Sequence, residues 1–134
     1  MQISTKSRYG LRAMVYLAKN KKICCAKEIA HKEKIPISYL EKIMAKLKKA
    51  GLINVKKGAG GGYFLSLPPS KIKIGQIIKA LEEKMDLVFC LGISKKKCPM
   101  QKNCETKIVW EKVQGAIIST LNSLTLFDLI KNEK

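Results

Sequence analysis

Apolar residues recur at steps of three and four along most of the chain, and the period changes to two at one place. From Ile3 to Asn20, Leu11, Met14, Val15 and Ala18 share a stripe while Lys6, Arg8 and Arg12 lie across from it, which predicts an amphipathic helix started by Ser4 or Thr5, its basic side reading equally as phosphate contacts or as a solvated face. Ile23, Cys24 and Cys25 read as a short extended link to a second helix over 26–34, with Ile29 and Ala30 inward and Pro36 ending it and setting up the next. Ser38 followed three residues later by Glu41 forms a capping-box pattern, so a third helix is expected to begin at Ser38. At about 100° per residue, Leu40, Ile43, Met44 and Leu47 fall on one face, and Tyr39, Lys42, Lys46 and Lys49 on the other. Gly51 supplies a C-cap. Ile53 and Val55, then Tyr63, Leu65 and Leu67, alternate around the glycine-rich run 58–62, with Lys56 and Lys57 at its mouth. This predicts a hairpin with a permissive loop.

Beyond Pro68 and Pro69, the stretch 70–73 reads as a linker, and Ile74, Ile77, Ile78 and Leu81 repeat at helical spacing. The segment CLGISKKKCPMQKNC has no apolar period and reads as a loop. From Glu105 onward, Trp110, Val113, Ile117, Leu121 and Leu124 mark a long helix with an apolar seam that needs a partner. Thr125, with Asp128 three residues on, caps a final short helix over 126–130. Helix, turn, capped helix, hairpin is the order of a winged helix-turn-helix. The expected fold is mainly α with a small β-hairpin: a winged helix-turn-helix region over 1–69, a short helix and cysteine loop over 70–104, and a dimerisation helix with a C-terminal segment over 105–134.

Charge turns this pattern towards a partner. Lysine and arginine number 27 against 10 acidic residues, a formal net charge of +17 over 134 residues, which points to a polyanion. No apolar run approaches the ~20 residues that cross a bilayer, and MQISTKSRYG has no signal-peptide hydrophobic region, so a cytoplasmic location is expected. The candidate partner is double-stranded DNA. Lys42 and Lys46 on the third helix, Lys56 and Lys57 at the hairpin mouth, and glycines such as Gly60 that let backbone N–H groups approach a phosphate form the candidate interface. A solvated lysine face and an ordinary flexible hairpin are the plainer readings of each signal taken alone.

Five cysteines in a lysine-rich intracellular chain argue against a disulfide framework. Cys24 and Cys25 are adjacent and read as small buried hydrophobes. Cys90, Cys98 and Cys104 are separated by seven and five residues. Structural zinc sites use closer pairs, so these spacings suit an iron-sulfur cluster better than zinc, while a loop of unligated thiols fits them equally well. His31, the only histidine, reads as a solvated surface residue. No nucleophile, base and oxyanion donor can be assembled, so no enzymatic activity is expected.

The runs TKSRYGLRAMVYLA, SYLEKIMAKLKKAGLI and KKGAGGGYFL, the three-cysteine loop, and CETKIVWEKV with LTLFDL resemble the Rrf-two family of bacterial transcription regulators. That family includes the iron-sulfur cluster assembly regulator and nitric-oxide-sensitive repressors. The resemblance covers nearly the whole chain, and its most specific parts are the GGGYFL wing and the position of the cysteine loop. It implies a homodimer whose long C-terminal helices cross, an operator-binding repressor, and a 2Fe-2S or 4Fe-4S cluster whose state alters affinity. By position it implies that Ser38, Tyr39, Glu41 and Lys42 face the major groove and that Lys57 reaches the minor groove. It also implies that Cys90, Cys98 and Cys104 are cluster ligands. Lys107 stands where the assembly regulators have a ligating histidine, and Arg8 where some nitric-oxide sensors have an acidic ligand. Glu105, another acid of the dimer, a small external ligand or water is left for the fourth place. Two rival readings are a redox protein that uses the cluster for electron transfer and a winged-helix DNA binder with no cluster.

Overall fold

The computed structural model describes residues 3–82 and 105–131. Its first helix, α1 (Thr5–Asn20), opens on Ser4, whose hydroxyl accepts from the Ser7 N–H at 3.2 Å. The buried face is rotated from the expected stripe. Ser7, Gly10, Ala13, Met14, Leu17 and Ala18 are buried, whereas Leu11 and Val15 are only half-buried. The cause is close packing by small residues: a Cβ on Gly10 would lie 2.1 Å from Leu81 Cδ1 and 3.2 Å from Ile43 Cγ2, so the absent side chain is what lets two other helices approach.

Helix α2 (Ala26–Glu33) ends at Lys34, which turns left-handed with φ of 55°. Pro36 therefore does not terminate α2; it stands at the N-cap of α3 (Ile37–Lys49), where its fixed φ of −55° leads the chain into the helix and its carbonyl accepts the Leu40 N–H at 2.9 Å. This displaces the expected capping box. Ser38 lies inside the first turn of α3, no side chain caps it, and Glu41 does not reach back to the backbone of Ser38. Leu40, Ile43, Met44 and Leu47 are buried as their spacing predicts.

Gly51, with φ of 80°, turns the chain out of α3. Strands β1 (Ile53–Lys56) and β2 (Gly62–Leu65) pair antiparallel with Ile53 opposite Leu65 and Val55 opposite Tyr63. Leu67 lies outside the strand and is exposed. The link before α2 extends the hairpin, because Cys24 N–H donates to Tyr63 O at 3.0 Å and Tyr63 N–H donates to Cys24 O at 2.8 Å. This bridge buries Cys24 and raises its thiol to about 11, chiefly by desolvation. Cys25 faces the opposite way and is exposed, so the reading of both as buried hydrophobes holds for Cys24 alone.

A short 3-10 turn (Pro69–Lys71) leads to α4 (Ile74–Leu81), whose Ile74, Ile77, Ile78 and Leu81 enter the core beside α1. Helix α5 (Lys107–Ser123) lies against α4 at its C-terminal end, where Gly75 leaves room for Asn122. The last helix, α6 (Leu126–Ile130), has the expected cap: Thr125 Oγ1 accepts from Asp128 N–H at 3.3 Å and Asp128 Oδ2 accepts from Thr125 N–H at 2.9 Å. Ile74 N–H donates to Leu124 O and Leu126 N–H donates to Ile72 O, each at 2.8 Å, which stitches the C-terminal segment to the start of α4. No described helix is long and apolar enough to cross a membrane.

Candidate nucleic-acid interface

Helix α3 presents Ser38, Glu41 and Lys42 to solvent, while Lys46 is half-buried by its stem. Tyr39 does not belong simply to the cationic side. It is half-buried against the core, and its ring meets Tyr9 of α1 edge-on, with centroids 5.5 Å apart and planes at 88°. Arg12 lies over the Tyr9 ring, its guanidinium 5.4 Å from the centroid, while its Nε pairs with Glu33 at 3.6 Å and its NH2 group donates to Glu33 O. Arg12 is thereby committed to fixing α2 against α1. Arg8 donates to Thr5 Oγ1 at 3.3 Å.

Between the start of α1 and α3 runs a groove of about 310 Å³ bounded by Lys6, Tyr39, Lys42, Ile43, Ala45 and Lys46. Its floor is apolar and its walls carry three ammonium groups. The sequence offers Lys6, Arg8 and Arg12 alike as phosphate contacts on α1; in the structure Lys6, in the first turn, is the one of the three that lines this groove beside Lys42 and Lys46. The hairpin stands beside the helix. Lys56, Lys57 and Gly60 are exposed at its end, and Gly58 and Gly60 hold φ of 92° and 73° with open space around them. Tyr63, behind the loop, has its hydroxyl pKa raised by burial and then by the charge of Glu41 on α3. None of Lys42, Lys46, Lys56 and Lys57 is engaged in an ion pair among the described residues. Free ammonium groups are what counterion release from a nucleic acid requires.

Comparison with known proteins decides what kind of interface this is. Residues 3–132 match the model of the Rrf2 family, described as an iron-dependent transcriptional regulator. The chain belongs to the Rrf2 family. It is 32% identical over 136 residues to the HTH-type transcriptional regulator IscR of Escherichia coli, across all of this chain and 83% of IscR. Among solved structures, T. potens IscR superposes with a TM-score of 0.80 at 37% identity, covering all of this chain and 89% of that one. CymR, the global cysteine regulator of B. subtilis, superposes with a TM-score of 0.79 at 33% identity, covering all of this chain and 99% of CymR. The expected fold, mainly α with a β-hairpin, agrees with these winged-helix neighbours. This Rrf2 chain is thus a DNA-binding transcriptional regulator and not an enzyme.

The candidate metal ligands stand differently. Cys90, Cys98 and Cys104 lie outside the described residues, and among the described residues no three His, Cys, Asp or Glu side chains come together to hold a metal. At the foot of α5, Glu105 is exposed, and Lys107 pairs through Nζ with Glu111 at 3.6 Å. His31 is exposed.

Proposed function

We propose that this Rrf2 regulator is a cytoplasmic homodimeric repressor that binds an operator through α3 and the wing, and whose affinity is set by an iron-sulfur cluster held by Cys90, Cys98 and Cys104. Ser38, Tyr39, Glu41 and Lys42 then face base edges and phosphates of the major groove. Lys46, Lys56, Lys57 and the Gly60 backbone contact the flanking phosphates and minor groove. The observation that carries the DNA side of this reading is that Lys42 and Lys46 on α3 and Lys56 and Lys57 on the adjoining hairpin form no ion pair among the described residues.

The ligand set fits the cluster by its chemistry. Three soft thiolates suit iron, whereas the flanking positions do not extend the set: Lys107 is a cation engaged by Glu111, and Arg8 is a guanidinium bonded to Thr5. Glu105 is the described acid nearest in sequence to Cys104 and is the chain's own candidate for the fourth place. When bound, the cluster supplies an iron centre responsive to oxidants or nitric oxide. The chain's part is mechanical, since the three cysteines lie between the DNA-reading region (1–69, continued by α4) and α5. The segment over 70–104 serves as the coupling element, and 105–134 as the dimerisation element.

Dimerisation rests on α5. Ile108, Val109, Trp110 and Val113 are 58, 52, 40 and 39% exposed, a run of apolar side chains that a second copy of the same helix would cover. A regulator of the IscR kind is favoured over the cysteine-regulator kind by the three thiols within a span of fifteen residues, Cys90, Cys98 and Cys104.

The test is anaerobic purification with iron, sulfide and Mössbauer analysis, followed by footprinting on genomic DNA. A defined protected sequence and iron bound in proportion to chain support the proposal. Only salt-sensitive binding to any duplex contradicts its DNA half, and iron-free protein after reconstitution contradicts its cluster half.

A further inference from the structure

The first turn of α1 is completed by a residue from the far end of α4. In a capping box the third helical residue is Glu or Gln and its side chain reaches back to the N-cap N–H. Here that position is Ser7, too short for the task, and the carboxylate comes from Glu82 instead. Glu82 Oε1 accepts from Ser4 N–H at 2.8 Å and from Ser7 Oγ at 2.7 Å, across separations of 78 and 75 residues. Ser7 is fully buried, so its hydroxyl depends on this acceptor. Burial pushes the Glu82 carboxyl upward, but the bonds from Ser4 and Ser7 and the nearby charge of Lys6 prevail and hold it below the ordinary glutamate value.

Lys6 lies between the two hydrogen-bonded serines in sequence. It is half-buried, its charge acts on Glu82, and its side chain walls the groove that Lys42 and Lys46 border on α3. The groove lining contains three ammonium groups and no carboxylate, so it is complementary to a polyanion.

We propose that Lys6, Lys42 and Lys46 together grip the DNA phosphate backbone in this groove, and that Glu82 is the positioning residue that holds Lys6 there. The inference rests on the reading of α3 as the DNA-facing helix. Glu82 acts through the N-terminal turn of α1: its hydrogen bonds fix Ser4 and Ser7, and the turn so fixed directs Lys6 towards α3 rather than into solvent. Charge alone gives the opposite expectation, because removing an acid near DNA lessens repulsion. The sign of the effect therefore separates positioning from simple electrostatics.

The experiment uses the full chain and an operator duplex, with fluorescence anisotropy over a range of salt. Lys6→Ala is expected to weaken binding about threefold to tenfold and to reduce the slope of log affinity against log salt by about 1 per bound chain. Glu82→Gln is expected to weaken binding and lower the slope in the same direction, and Lys6→Ala with Glu82→Gln to bind no more weakly than Lys6→Ala alone. Binding by Glu82→Gln as tight as wild type or tighter, or losses that add in the double variant, overturns the positioning role. An unchanged slope in Lys6→Ala overturns the phosphate contact. That variant leaves the Ser4–Ser7–Glu82 hydrogen bonds in place, and melting curves show which Glu82 variants are folded, with Glu82→Asp as the charge-preserving replacement if Gln is not. Lys42→Ala and Lys57→Ala are run alongside. If neither affects operator binding, the reading of α3 and wing has failed; if both weaken it while Lys6→Ala does not, only the present inference has.

Discussion

Tyr39 of α3 rests its ring edge-on against Tyr9 of α1, with centroids 5.5 Å apart. A residue that helical spacing assigns to the DNA-facing side is thus also the pin between that helix and its scaffold. Tyr39→Phe keeps the ring pair and loses only the hydroxyl, so stability should stay near wild type and any change in operator affinity reports the hydroxyl's own contact. Tyr39→Ala loses the pair, worth about 0.5–1.5 kcal/mol beyond its buried area, and should lower both the melting temperature and operator affinity. Equal melting temperatures for Phe and Ala variants would contradict the pinning role.

Glycines of the wing differ in what they permit. A Cβ at Gly62 would lie 2.4 Å from Cys24 O and 2.5 Å from Cys24 C, backbone atoms that are held by the Cys24–Tyr63 bridge. Gly60 has φ of 73° but open space around it. Gly62→Ala should therefore destabilise the chain by about 1–3 kcal/mol, while Gly60→Ala should incur only the left-handed backbone cost of about 1–2 kcal/mol. Denaturant melts decide, and a larger loss for Gly60→Ala than for Gly62→Ala would contradict the close approach of β2 to the link before α2.

Acid stability should depend on Glu28. Its carboxylate accepts from the Tyr16 hydroxyl and pairs with Lys22 Nζ at 3.5 Å, and its pKa is lowered, first by the Tyr16 bond and against the effect of burial. A carboxylate depressed in the folded state adds stability above its unfolded value of 4.5, and that stability is lost as pH falls through the folded value. Glu28→Gln should lower stability at neutral pH and flatten its decline below 4.5. At the alkaline end the same contact raises Tyr16 to about 12, so wild type should lose stability as pH climbs from 10, with Tyr16→Phe spared. Parallel acid melting curves for wild type and Glu28→Gln would contradict this.

The apolar seam of α5 divides into two parts with different consequences. Leu121 packs against the chain's own core, so Leu121→Glu should unfold the chain or lower its melting temperature sharply. Val113 is exposed beside Trp110, so Val113→Glu should leave the fold intact and yield a monomer by analytical ultracentrifugation. A folded Val113→Glu dimer would place the interface elsewhere.

The helices and hairpin were legible where one local rule decided the structure: the period of Leu40, Ile43, Met44 and Leu47, the glycine at 51, and the reciprocal Thr125–Asp128 cap. They were not legible where a distant residue intervened. Ser38 and Glu41 satisfy the capping-box pattern, yet α3 takes its N-cap two residues earlier, at Pro36. The cap that α1 uses draws on Glu82, which no window of neighbouring residues contains. Helical spacing also put Tyr39 with the lysines, because it carries no information about Tyr9 on another helix. Helical spacing put Leu11 and Val15 on the inward stripe, and they pack at the edge of the core, whereas Gly10 lies at its centre because the absence of a side chain admits Leu81 of α4.

The most direct measurement is titration of one operator, anaerobically and at fixed salt, with apo protein, cluster-reconstituted protein and the Cys98→Ala variant. The account predicts different affinities for the apo and reconstituted forms, with tighter binding by the reconstituted form and Cys98→Ala following the apo curve. A coupling of about 1–3 kcal/mol corresponds to roughly 5- to 150-fold in affinity. Three superimposable isotherms would contradict the account and leave a basic winged-helix regulator whose loop thiols have no part in DNA binding.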